Sequence, residues 1–142
     1  MTPRPRIPLL AALLLAAALA AGCAQQQSRS SDSVSKFTGD QRAAAQTVED
    51  LDSAAGDSDE AKICTQILSR ALAGRIAANG RGCAPGVDAA MKDADSTAMT
   101  VEAVRVTGDT ATARVKFETG KKDRRGTITL VREGGRWRIS GF

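Results

Sequence analysis

Histidine and tyrosine are absent from the 142-residue sequence, and aromatic residues make up only 3% of it, as three Phe and one Trp. Without His there is no imidazole base, no Ser-His-Asp or Cys-His machinery and no His-ligated metal. Without Tyr there is no phenolic acid or oxyanion donor. A bilayer-spanning run is also missing. The longest uncharged apolar stretch, Ile7 to Ala21, covers fifteen residues, whereas an ordinary spanning helix needs about 20. What is present is 42% hydrophobic and 25% charged, with 20 Lys+Arg against 16 Asp+Glu. That length and balance predict one domain with a moderate core. No cofactor and no metal are expected.

The short apolar stretch reads as an address. Arg4 and Arg6 precede it, and it ends in Leu19-Ala20-Ala21-Gly22-Cys23. Positive n-region, short h-region and small residues before the Cys define a signal peptide over residues 1–22. The ending resembles the lipobox of bacterial lipoproteins, with Ala20 where Leu is commoner. The resemblance implies diacylglycerol on Cys23, cleavage before it and acylation of the new N-terminus. Two or three acyl chains anchor stably where one is marginal. A plain secretory signal with a Cys at its cleavage site, or an uncleaved anchor, is the competing reading. Residues 24–36, AQQQSRSSDSVSK, carry no apolar periodicity and read as a flexible tether. The expected location is therefore the extracytoplasmic face of the cell membrane.

From Phe37 the pattern becomes globular. Asp40 is a candidate N-cap, followed by Ala44, Val48, Leu51 and Ala55 at helical spacing, with Gly56 as the stop. Asp57 and Glu60 form a candidate capping box for a second helix. Its inner stripe is Ile63, Ile67, Leu68, Ala71, Leu72 and Ile76, with Gly74 a candidate interruption and Asn79-Gly80 the end. A third, short helix follows Cys83-Ala84-Pro85-Gly86 and runs through Val87, Ala90 and Met91.

The period then changes to two. Strands are expected over Thr97–Thr107, Thr110–Thr119, Thr127–Arg132 and Arg136–Phe142, with tight turns at Gly108-Asp109 and Gly134-Gly135. The first turn pairs Val106 with Ala111 and Val104 with Ala113. Upstream, the apolar positions shift to Val101 and Met99, so a bulge is required near Glu102-Ala103. The second turn pairs Leu130 with Ile139 and Arg132 with Trp137. One face of this meander is polar almost throughout, which predicts helices on the other side only. The fold class is α+β, with three N-terminal helices on one face of a curved, mainly antiparallel four-stranded sheet.

Two cysteines remain once Cys23 carries lipid. Export places Cys64 and Cys83 outside the reducing cytosol, so a Cys64–Cys83 disulfide is expected. No CxxC and no His accompany them, which argues against a redox or metal site.

The order of elements, the paired Cys and the segments Val104-Arg105-Val106-Thr107-Gly108-Asp109-Thr110-Ala111-Thr112-Ala113 and Leu130-Val131-Arg132-Glu133-Gly134-Gly135-Arg136-Trp137-Arg138-Ile139 resemble the small NTF2-like (cystatin-like) domains of bacterial lipoproteins. The resemblance covers residues 38–142 and implies a cone between helices and sheet. Catalytic members of that superfamily place Asp, Tyr or His inside the cone. Here the expected inner positions Ala111, Ala113, Val115, Phe117, Ile128, Leu130, Trp137 and Ile139 are all apolar, and Glu102 beside the bulge is the only strand acid that could turn inward. A non-enzymatic binding or protein-interaction module is the expectation. The alternative is a carrier of a small hydrophobic ligand, or a degenerate isomerase or lyase, using a cavity lined by Met99, Phe117 and Trp137.

Charge is unevenly spread along the chain. Residues 40–60 hold seven acids and one base, and residues 105–138 hold ten bases and four acids. Lys121, Lys122, Arg124 and Arg125 cluster in the expected loop 120–126. This is a candidate basic contact patch for anionic headgroups, an anionic envelope polymer or an acidic envelope protein. Nucleic acid is a poor partner for an exported protein without stacking aromatics. With no apolar patch on the outer sheet face, a monomer is expected.

Overall fold

The computed structural model describes residues 33–94, 98–119 and 122–142. Cys23, the signal segment and residues 24–32 of the expected tether lie outside the described residues, as does Lys121. Four helical stretches precede four strands: α1 (Gly39–Gly56), α2 (Glu60–Lys62) running into a π-helical turn (Ile63–Ile67), α3 (Arg70–Ala77), α4 (Cys83–Lys92), then β1 (Ala98–Thr107), β2 (Thr110–Glu118), β3 (Arg124–Glu133) and β4 (Arg136–Gly141). Residues 33–35 add a helical turn before α1. Val34 and Phe37 are both buried. The folded unit therefore begins before Phe37, within the stretch read as tether.

The sheet is an open antiparallel meander in the order β1-β2-β3-β4. Its registers follow from the turns. Gly108 at φ +56° and the Gly134-Gly135 pair at +57° and +77° take the left-handed conformations that tight hairpins need. Val106 faces Ala111 and Val104 faces Ala113, and the register shifts between Val101 and Ala103 as the apolar phase demands. Leu130 faces Ile139 and Arg132 faces Trp137. The inward set Val101, Val104, Ala111, Ala113, Val115, Ile128, Leu130, Trp137 and Ile139 is buried against Ala44, Val48, Leu51 and Ala54 of α1 and against Ile63, Ile67 and Leu68.

The helical half departs from the sequence reading in four places. Thr38, not Asp40, is the N-cap of α1, and its side chain makes no cap bond. Asp40 lies within the first turn, free to pair elsewhere. Asp59 rather than Asp57 caps α2, accepting from the Lys62 N–H at 2.9 Å. The run from Ile63 to Ile76 is not one helix broken at Gly74. It breaks at Leu68-Ser69, where Leu68 turns extended and bridges Ile139 in parallel while the Ser69 N–H donates to the Ile139 carbonyl at 2.8 Å. Ser69 then caps α3, its hydroxyl accepting from the Leu72 N–H. Finally, α4 begins at Cys83 rather than beyond Gly86, and Ala71 and Ala90 are exposed, so neither belongs to the inner stripe.

Both edges of the sheet are occupied. The Leu68-Ser69 step covers β4, and α1 covers β1 with side chains: Gln41 Nε2 donates to the Val104 carbonyl, and Asp52 Oδ1 accepts from the Met99 N–H, each at 3.1 Å. The Cys64–Cys83 disulfide is present and ties the π-helical turn to the first residue of α4. Helices do not keep to one face. α3 overhangs the outer face at the β4 edge and forms a groove with it.

Candidate functional site

The tight Gly134-Gly135 turn places Arg132 directly opposite Trp137 on the inner side of the sheet. The Arg132 guanidinium lies over the indole, 4.6 Å from its centroid. Two acids hold it there: Asp40 from the first turn of α1 at 2.6 Å, and Asp109 from the β1–β2 turn at 3.4 Å. The Arg132 N–H also donates to the Asp109 carbonyl at 2.8 Å. Beneath this lid Trp137 is only 5% exposed. Its carbonyl accepts from the Thr47 hydroxyl. Its indole Nε1–H is buried and finds no partner among the described residues. Leaving such a donor unpaired costs about 1–3 kcal/mol, and folded proteins rarely tolerate it without a reason.

Met99 and Phe117 lie at the other end of the sheet, where they are register partners. The Phe117 ring crosses over Gly126 so closely that a Cβ there would come within 2.8 Å of it. Eight residues of β2 separate Phe117 from the level of Asp109 and Arg132, roughly 25 Å at about 3.3 Å per residue. The expected cavity trio is therefore split. Met99 and Phe117 share one end, and Trp137 occupies the other.

Two carboxylates that sequence reasoning passed over face the sheet from α1. Glu49 is 7% exposed and accepts from the Ser33 hydroxyl. Asp52 is half-buried and accepts from Met99. Burial raises the pKa of Glu49, the Ser33 bond opposes it, and the charges of Asp52 and Asp50 add to the rise. Burial likewise raises the pKa of Asp52, against the Met99 N–H and with the charge of Glu118. A signal existed in the spacing: Ala45, Val48, Glu49 and Asp52 fall on one flank of the α1 wheel. Chemically they are proton-binding groups, yet both are engaged in holding other segments to the helix.

Glu102 turns outward. The bulge directs both Val101 and Val104 inward, which leaves Glu102 on the polar face between Arg125 at 3.1 Å and Arg114 at 3.5 Å. The expected basic loop is shorter than it reads, because Arg124 and Arg125 already belong to β3. Lys116 pairs with Glu118 and Asp123 at 3.2 and 3.5 Å. Lys122 is exposed, with its carbonyl and N–H both bonded to the Thr119 hydroxyl. Of the expected patch, Arg125 is thus matched by an acid of the same face, as are its neighbours Arg114 and Lys116.

The groove under α3 has a volume of about 500 Å³ and is lined by Ala71, Arg75 and the buried Ser69 on one side and by Thr110, Ala111, Thr112, Thr129, Leu130, Val131, Glu133 and Ser140 on the other. No metal-type cluster of acids or cysteines occurs among the described residues. No helix among them is long and apolar enough to cross a membrane.

Residues 83–140 match a family described as "Putative lumazine-binding". The match takes in α4, all of β1 to β3 and β4 as far as Ser140. It supports a small domain whose function is not established. No curated protein matches the chain.

Proposed function

We propose that this chain is a lipid-anchored, extracytoplasmic binding domain without catalytic activity, and that it takes a small planar ligand at the Trp137 end of the sheet. The observation that carries this reading is the buried, unpartnered indole N–H beneath Arg132. A flat ring bearing a carbonyl or ring-nitrogen acceptor would satisfy that donor. Arg132 is held only by side chains that are themselves largely in water, Asp40 at 54% and Asp109 at 81% exposed, so its displacement costs little. The matching family's description, a heteroaromatic bicycle, agrees with such a ligand.

A degenerate isomerase or lyase would use Glu49 and Asp52, the inward carboxylates of α1. Their hydrogen bonds to Ser33 and to Met99 give them structural duties, which favours binding over turnover.

The test uses the one Trp as its own reporter, since no Tyr competes with it. Titrating lumazine into the detergent-solubilised protein should quench Trp137 emission saturably, and Arg132→Ala should alter the affinity. Emission that stays unchanged to millimolar lumazine would refute the ligand. Anchoring is tested separately: Cys23→Ala should abolish the acyl mass and release the protein from the membrane fraction or leave the signal uncleaved.

A further inference from the structure

The groove under α3 opens on the outer face of the sheet, with Val131 and Glu133 flanking Arg132 in β3, whereas Trp137 and the Arg132 guanidinium lie on the inner face. Its sheet side combines the apolar Ala111, Leu130 and Val131 with a row of hydroxyls running across three strands. Thr112 and Thr129 are direct register partners on β2 and β3, and the Ser140 hydroxyl of β4 donates to Thr129 at 3.2 Å. The Thr112 hydroxyl has no partner among the described residues. Ser69, 1% exposed, closes the inner wall and spends only its acceptor side, on the Leu72 N–H.

One cation stands beside this row. Arg75 lines the groove and uses one guanidinium nitrogen, donating to the Ser140 carbonyl at 2.9 Å. The side chains of Arg70 on α3 and Arg136 on β4 have no hydrogen-bond or ion-pair partner among the described residues. Neither lines the groove; the groove's one carboxylate, Glu133, already accepts from the Arg70 backbone N–H at 3.2 Å. Unspent guanidinium donors beside a hydroxyl row match a ligand that carries phosphate and hydroxyls together. Guanidinium forks bind phosphate oxygens by charge-assisted bonds, and neutral hydroxyls exchange bonds with a polyol chain. The volume is that of a small-ligand site.

We propose that this groove is a second binding site, for a phosphorylated polyol or sugar, with Arg75 on the phosphate and the Thr112–Thr129–Ser140 row on the hydroxyls. A small metabolite and a phosphodiester-linked envelope polymer share that chemistry.

The experiment is calorimetric titration of the whole detergent-solubilised chain with sorbitol 6-phosphate, sorbitol, inorganic phosphate and a glycerol-phosphate hexamer. Sorbitol 6-phosphate should bind one to one, and sorbitol or phosphate alone should bind about tenfold more weakly or not at all. Arg75→Gln and Thr129→Val should each weaken binding by about tenfold, with circular dichroism confirming the fold. Trp137→Phe should leave this binding unchanged, which separates the groove from the first site. Tighter binding of the hexamer identifies the polymer as the source, and equal or weaker binding identifies the monomer. No binding of either phosphorylated probe, equal binding of inorganic phosphate, or indifference to both groove variants would overturn the proposal.

Discussion

Replacing Trp137 by Phe keeps a ring over the core while deleting the indole N–H, and the two consequences oppose each other. The smaller ring has roughly 40 Å² less surface to bury, ~1 kcal/mol. The space it leaves, roughly 40 Å³, costs about 1 kcal/mol more if neighbours do not collapse into it. Exchanging indole for phenyl under Arg132 weakens the cation–π contact by about 0.5 kcal/mol. Against this loss of about 2.5 kcal/mol, removing a buried donor with no partner returns about 1–3 kcal/mol. Trp137→Phe should therefore lie within about 1.5 kcal/mol of the parent protein, a small effect for a core Trp. Were the N–H satisfied by some buried acceptor, the same substitution would orphan that acceptor and destabilise by about 3 kcal/mol or more. Urea unfolding followed by far-ultraviolet circular dichroism measures the difference. A loss of about 3 kcal/mol or larger refutes the view of the indole as an unpaired donor, and with it the argument for a ligand at that end.

Replacing Cys64 and Cys83 by Ala opens a loop of sequence separation 19 and should lower stability by about 3 kcal/mol, read as a lower unfolding midpoint without further loss on adding reductant. Glu49 and Asp52 bind their protons more tightly folded than unfolded, because burial raises both. The folded state then holds more protons, so stability is fullest near the ordinary carboxylate pKa and falls as pH rises through the raised values. Glu49→Gln should flatten this fall between pH 4 and 8, and thermal midpoints in which it instead steepens would contradict the burial argument. Asp40→Asn removes one of two exposed partners of Arg132, and a chemical-denaturation series at low and high salt should show a cost of at most about 1 kcal/mol that salt erases.

The sheet was the legible half. Alternating apolar residues and Gly-centred turns are local signals, and they predict the registers of both hairpins as well as the one-residue slip at Glu102, because a register error would bury charge. The helical half was less so. The stripe from Ile63 to Ile76 has unbroken helical spacing, and what breaks it is a distant partner, the Ile139 backbone. The Ser69 cap was the one local hint. The same limit applies to charge: Arg114, Arg125 and Lys116 read as a basic surface until the bulge and the β2–β3 connection bring Glu102, Glu118 and Asp123 among them. Arg132 over Trp137 could be read from register. The orphaned indole N–H could not, since it depends on which groups fail to arrive opposite it.

The union of β4 with the Leu68-Ser69 step bears on when the protein can fold. Residues 136–141 touch Thr47, Thr65, Ser69 and Arg75 by hydrogen bonds, so their partners were all made some sixty to ninety residues earlier. A nascent chain made N-terminus first can form its helices early, but it cannot seat α3 or close the core until the final strand arrives. Such long-range closure is slow relative to local structure. A chain stopped before Arg136 is left with an open seam along β3 and an unsupported α3, a form open to proteolysis. Commitment to the native state is thereby postponed until the last segment has been delivered.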